Sequence, residues 1–203
     1  EGAFQVRGTT TKPMPIQAIA FEAFTAHNLP DGLEPNLAEQ VVYDPPNFTF
    51  RFGTHVAVVV IDEETGQVRL IDYAAVDDCG NQINPLIVAG QVHGGIVQGI
   101  GQALVEDVRY DDSGQVLTGS FMDYGIPRAH LVPSFDIALT EDPTKGNPLG
   151  GKGGGEAGST PALAVVMNAI MNALKDLGVE HMDMPATPHH IWQAIQNAKA
   201  KRS

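Results

Sequence analysis

The sequence predicts an α+β fold. Strand-like and helix-like segments occur in blocks rather than in strict alternation, β-branched runs pair around short polar turns, and the longest apolar periodicity is helical. With 203 residues of which 43% are hydrophobic, the chain can bury one sizeable core. A single domain over residues 1–203, or two tightly packed lobes, is therefore expected, with mixed-sheet hairpins packed against helices.

Taken in order, Pro13 to Ala26 places Ile16, Ile19, Ala20 and Ala23 at helical spacing. Leu29 to Asn47 holds four prolines and little periodicity, so it reads as an extended connection. His55 to Ile61 and Gln67 to Val76 are rich in β-branched residues and flank Asp62-Glu63-Glu64-Thr65-Gly66, which predicts a hairpin. Gln91 to Glu106 returns to helical spacing despite four glycines, each costing up to ~1 kcal/mol relative to Ala, so close helix packing or approach to a ligand is expected there. Arg109 to Ser120 reads as a second hairpin around Asp111-Asp112-Ser113-Gly114, and Phe135 to Thr140 as a further strand. A long helix follows, with Pro161 in its first turn, apolar residues from Leu163 to Leu177 and Gly178 as its cap. Pro188 to Lys199 carries Ile191, Trp192 and Ile195 on one face of a last helix.

Composition removes several function classes. A net charge of −12 disfavours nucleic acid, whose phosphates demand a basic patch. One cysteine, Cys79, allows neither an internal disulfide nor a self-contained iron–sulfur cluster. No apolar run approaches the roughly 20 residues of a membrane span, and the start at Glu1 has no signal-peptide pattern, so a cytoplasmic protein is the expectation.

Asn147 to Ser159 sets one carboxylate, Glu156, among six glycines directly before the long helix. Chain without Cβ atoms brings its N–H groups close to a ligand, and the helix start adds its positive dipole end. Three readings compete. Gly146 to Lys152 matches most of a phosphate-binding loop, but Gly153 stands where the magnesium-binding hydroxyl belongs. Gly153, Gly155 and Gly158 match a dinucleotide fingerprint, but no strand runs into them. The third reading makes Glu156 a base beside a bound cofactor, against the plain alternative of an exposed acid in a flexible linker.

A resemblance favours the third. The run ending in Gly155-Glu156 resembles the active-site loop of the molybdenum hydroxylases, the xanthine dehydrogenase, aldehyde oxidase and aerobic carbon monoxide dehydrogenase family. Val76-Asp77-Asp78-Cys79-Gly80-Asn81-Gln82-Ile83-Asn84-Pro85 and Gly90-Gln91-Val92-His93-Gly94-Gly95 resemble a second family block. Phe121-Met122-Asp123-Tyr124, Ile126-Pro127-Arg128-Ala129 and Met184-Pro185-Ala186-Thr187-Pro188 continue the match, in order, from about Phe4 to the end.

That resemblance implies the C-terminal molybdenum-cofactor-binding portion of a larger catalytic subunit, with molybdopterin or its cytosine dinucleotide as cofactor. It implies hydroxylation with water as the oxygen source and Glu156 as the catalytic base. Gln91 would contact the cofactor, Cys79 would neighbour it, and Lys152, Gly153, Gly154 and Gly155 would steady the anionic surroundings or the Glu156 geometry. No side chain of this chain is assigned as a metal ligand. The implied partners are the rest of the molybdenum subunit, an iron–sulfur subunit and an FAD subunit, together with a small-molecule substrate. The isolated chain is expected to be inactive, and the substrate-pocket residues are expected upstream. A structural module of such a complex, or a nucleotide-binding protein using the Gly-rich loop, stands as the alternative. His189 and His190 lack the spacing of a zinc site and are expected at the surface of a helix start.

Overall fold

The structure, a computed structural model, describes residues 2–202, which form one compact unit up to Asp44 and another from Pro45 onward. In the first unit, strands β1 (Ala3–Phe4) and β2 (Met14–Pro15) pair antiparallel and lead into helix α1 (Ile16–Thr25). The helix begins later than the periodicity suggested, because Pro15 holds Met14 in extended backbone. It stops at Ala26, whose left-handed backbone (φ 57°) lets its N–H return to the Glu22 carbonyl at 3.0 Å. Strands β1 and β2 were missed in the sequence, two residues each being too short for a period.

The second unit is built on a hairpin of β3 (Phe52–Ile61) and β4 (Val68–Asp78), with a bulge between Val58 and Val59. Its turn is tied by the Asp62 carboxylate, which accepts the N–H groups of Glu64 and Thr65 at 2.9 and 3.1 Å. Strand β5 (Asp136–Thr140) joins β4 in parallel, so the sheet is mixed and the fold α+β as expected. A parallel neighbour requires a crossover, and helix α2 (Pro85–Leu104) lies within it.

Helix α2 begins six residues before Gln91. Asn84 accepts the Ile87 N–H on its side chain and Pro85 occupies the first turn, a cap-and-proline start. Gln91 is thus mid-helix rather than at the N-terminus. Helix α3 (Ser159–Leu174) runs against α2 and the sheet, burying Ala162, Val166, Ile170 and Leu174 on one stripe. The α2 stripe is Val92, Ile96, Gly99, Ile100 and Ala103. A Cβ on Gly99 would lie 2.6 Å from the Ala162 Cβ, and one on Gly158 only 2.2 Å from the Val92 carbonyl oxygen. Small residues here let α2 meet the start of α3 backbone to backbone. Gly178 closes the short 3-10 turn after α3 at φ 87°, and α4 (Pro188–Arg202) completes the core through Ile191, Ile195 and Ala198.

The second hairpin expected over Arg109 to Ser120 is reduced to an isolated bridge between Tyr110 and Val116. Asp111 takes the N–H groups of Ser113 and Gln115 on its carboxylate, tightening the turn beyond what a ladder accommodates. No described helix is long and apolar enough to cross a membrane.

Candidate active site

The two motif blocks converge in space. Strand β4 ends at Asp78, and the next three residues clamp the Gly-rich loop: the Cys79 carbonyl accepts the Lys152 N–H at 2.7 Å, and the Asn81 N–H donates to the Gly150 carbonyl at 3.1 Å. Gly80 bridges Gly151, and the Asn81 amide donates to the Leu149 carbonyl at 2.8 Å. Two glycines are required by this approach. Gly80 (φ 65°) would place a Cβ 2.3 Å from the Gly150 oxygen, and Gly150 (φ 69°) would place one 2.7 Å from the Asn81 amide nitrogen.

Lys152 is held beneath the loop. Its ammonium donates to Asp78 Oδ1 at 2.8 Å and lies 4.8 Å from the Phe52 ring centroid, with Asp142 at 3.4 Å. Asp78, fully buried, also accepts the N–H groups of Gly80 and Asp142 and the Thr140 hydroxyl. Burial pushes the Asp78 carboxyl upward. Lys152 and the two N–H donors outweigh that push and leave it below its ordinary value, while the bond to Asp78 raises the Lys152 ammonium. The geometry therefore gives Lys152 a loop-anchoring contact at the end of β4.

Above this anchor the loop turns its bare stretch outward. Gly153, Gly155 and Glu156 are exposed, the Glu156 side chain by 81%. No described backbone carbonyl takes the N–H groups of Gly153, Gly154 or Gly155. Gly154 lies over Cys79, its hypothetical Cβ 3.2 Å from the sulfur, and Gly155 lies over Gln91, its hypothetical Cβ 3.7 Å from Nε2. Gln91 and the Gly153–Glu156 stretch thus lie side by side at the surface, with the buried Cys79 beneath Gly154. Burial first, then the negative charges of Asp77 and Asp78, push the Cys79 thiol up, so it is a small buried apolar group rather than a thiolate.

The donor set suits an anionic organic cofactor. It offers the Gly153–Gly155 backbone N–H groups and the solvent-facing Gln91 carboxamide as donors; no cluster of His, Cys, Asp and Glu able to hold a metal ion is found among the described residues. His93 donates to the Ala89 carbonyl within its helix, and His190 to the Pro185 carbonyl; His189 is exposed, as expected.

Sequence reasoning missed two features. Arg51, just before β3, reaches the loop: its Nη2 donates to the Thr160 hydroxyl at 3.2 Å and lies 3.8 Å from Glu156 Oε2. Beneath it a buried chain runs across the hairpin, with Tyr73 Oη 2.7 Å from His55 Nδ1 and His55 Nε2 3.0 Å from Asp77 Oδ2. Burial first, then Asp77, push the Tyr73 hydroxyl up, and because the Asp77 carboxylate only accepts, His55 Nε2–H donates to it. The strand alternation that places His55, Tyr73 and Asp77 on the inner face was legible, but their cross-strand partnership needs the register.

Residues 1–133 match the family described as molybdopterin cofactor-binding domain. The chain is 37% identical to the carbon monoxide dehydrogenase large chain of Hydrogenophaga pseudoflava, covering 95% of this chain and 24% of that protein. It is 37% identical to the nicotine 6-hydroxylase large subunit of Paenarthrobacter nicotinovorans, covering 97% and 24%. Among solved structures, the quinoline 2-oxidoreductase of Pseudomonas putida 86 superimposes with a TM-score of 0.88 at 41% identity, covering 97% of this chain and 25% of that one. A Cu,Mo-CO dehydrogenase in its carbon monoxide reduced state gives 0.88 at 34% identity, covering 98% and 25%. The chain spans about a quarter of the length of these relatives.

Proposed function

The chain belongs to the molybdopterin cofactor-binding domain family, and we propose that it is the C-terminal portion of the catalytic subunit of a molybdenum hydroxylase that oxidises a small molecule with water as oxygen source. The single observation that carries this reading is the meeting of Glu156, Gln91 and the bare Gly153–Gly155 backbone on one surface, fixed from below by the Asp78–Lys152 pair. When bound, molybdopterin or its cytosine dinucleotide supplies the two-electron redox chemistry. The chain's own residues do the rest. The N–H groups of Gly153 to Gly155 and the Gln91 carboxamide hold anionic oxygen and ring acceptors, since each offers a donor with no competing partner on the described backbone. Cys79 fills the floor under Gly154. Glu156 takes the proton from the attacking water-derived oxygen, and its Oε2 is steadied by Arg51.

The rest of the molybdenum subunit covers the faces left bare here, and iron–sulfur and FAD groups on partner subunits carry the electrons away. The outer face of the β3–β4 hairpin supports such burial: Val56, Val58, Val60, Ile71 and Val76 are all exposed, an apolar set of the kind that marks an interface. The nicotine and carbon monoxide relatives act on different small molecules by name, so the substrate is not carried over from either. The test is Glu156→Gln in the natively purified, molybdenum-loaded complex. Turnover falls by about two to four orders of magnitude while molybdenum stays bound; turnover near the wild-type rate would refute the assignment.

A further inference from the structure

We infer that Thr160 is a positioning residue: its hydroxyl holds the Arg51 guanidinium short of Glu156, so that the positive charge orients the carboxylate without hydrogen-bonding it. Its bearing on turnover rests on the reading of Glu156 as the base; the contact itself does not.

Thr160 stands in the first turn of α3, shortly after Glu156. A hydroxyl has one proton to give and lone pairs with which to accept. Here the proton goes to the Glu156 carbonyl at 3.1 Å, and the oxygen accepts Arg51 Nη2 at 3.2 Å. The same Nη2 faces Glu156 Oε2 at 3.8 Å, near enough for attraction between charges and beyond hydrogen-bond reach. The Arg51 side chain is only 26% exposed, so the cleft around it limits where its guanidinium can go. Arg51 and its neighbour Phe52 also brace the Gly-rich loop at both ends, since the Phe52 ring centroid lies 4.8 Å from Lys152 Nζ. The other charged groups at the cleft and the loop base are engaged elsewhere: Asp77 with His55, and Lys152 with Asp78 and Asp142.

That separation suits a base. A guanidinium and a carboxylate left to themselves close into a two-point hydrogen-bonded pair. A carboxylate in such a pair takes up a proton less readily, because the donors stabilise its charged form. An exposed carboxylate with no cation beside it has no preferred direction. Thr160 sets a state between the two: Arg51 Nη2 donates to the hydroxyl, and the Glu156 oxygens keep their lone pairs for the proton they are to take. Thr160→Val removes the acceptor at nearly constant shape. The N–H of residue 160 still donates to the Glu156 carbonyl, at 3.3 Å, so the start of α3 stays tied.

In the full chain, the guanidinium NMR signals of Arg51 report the contact. Glu156→Gln shifts them little while Thr160 is present, and several-fold further once Thr160→Val lets the guanidinium close on Glu156. In the molybdenum-loaded native complex, Thr160→Val lowers kcat about tenfold with KM and molybdenum content unchanged, while Thr160→Ser, which keeps the hydroxyl, retains the wild-type rate. In an Arg51→Gln background Thr160→Val has no further effect, since no guanidinium is left to hold back. Thermal melts check that each variant folds, and Thr160 is exposed, so each should. A Thr160→Val complex at the wild-type rate, a Thr160→Ser complex as slow as Thr160→Val, or an equal loss with Arg51→Gln present overturns the inference. Guanidinium signals indifferent to Thr160 overturn it as well. A fully active Glu156→Gln complex would defeat the proposed function and leave the NMR result standing.

Discussion

Lys152 Nζ lies 2.8 Å from Oδ1 of the fully buried Asp78, and this pair ties the Gly-rich loop to the end of β4. Four separate groups converge on that one carboxylate: the Lys152 ammonium, the Gly80 and Asp142 N–H groups and the Thr140 hydroxyl. The loop is therefore anchored at its base while its bare segment stays exposed.

Lys152→Met removes the cation and leaves a buried carboxylate with its remaining donors. Thermal unfolding of the chain should show a lower Tm near neutral pH. The pH dependence follows from the depressed Asp78 carboxyl. Its stabilising contribution is present above its unfolded value of 3.8 and is lost as pH falls through the lower folded value. Wild-type Tm should thus drop below about pH 3.8, and the Lys152→Met curve should drop less steeply there. Identical curves would argue against the anchor.

Cys79 should resist alkylation. Its thiol is raised above the ordinary 9.0 and the side chain is buried, so iodoacetamide at neutral pH should label it far more slowly than a free thiol. Mass spectrometry of the native chain, with the unfolded chain as reference, measures this. Rapid labelling at neutral pH would mean that Gly154 does not cover the sulfur.

The glycines of α2 and the α3 start should divide into two classes. Gly158→Ala forces a Cβ against the Val92 carbonyl and should cost about 1–3 kcal/mol in denaturant unfolding. Gly94→Ala meets nothing within 4 Å and should stabilise the helix by about 0.5–1 kcal/mol. Equal effects would remove the reason for the small residues at this contact.

Gln91→Ala removes a side chain that faces solvent beside Gly155 without contributing to the core. The chain should melt at its normal temperature, while the native complex should retain less cofactor by pterin fluorescence. Unchanged retention would free Gln91 of the role proposed for it.

Much of this molecule was legible in residue order because its elements carry strong periods. The hairpin and the long helix follow from alternation and apolar spacing, although the helix passes into a 3-10 turn at Lys175 before Gly178 ends it. The start of α2 was also written in the sequence, as Asn84-Pro85, but the glycines after Gln91 drew attention to the wrong boundary. Other features depended on tertiary distance. Arg51 is 105 positions before Glu156, and nothing local links them until the start of β3 is laid beside the start of α3. The pairing of Asp77 with His55 likewise depends on a hairpin register that sequence spacing leaves open.

The most direct test of the account is the molybdenum content of the chain purified natively with its accompanying polypeptides. Stoichiometric molybdenum together with larger partners is the predicted result, and it would fall when Gln91 and the loop glycines are altered. An intact native complex without molybdenum would contradict the account at its centre.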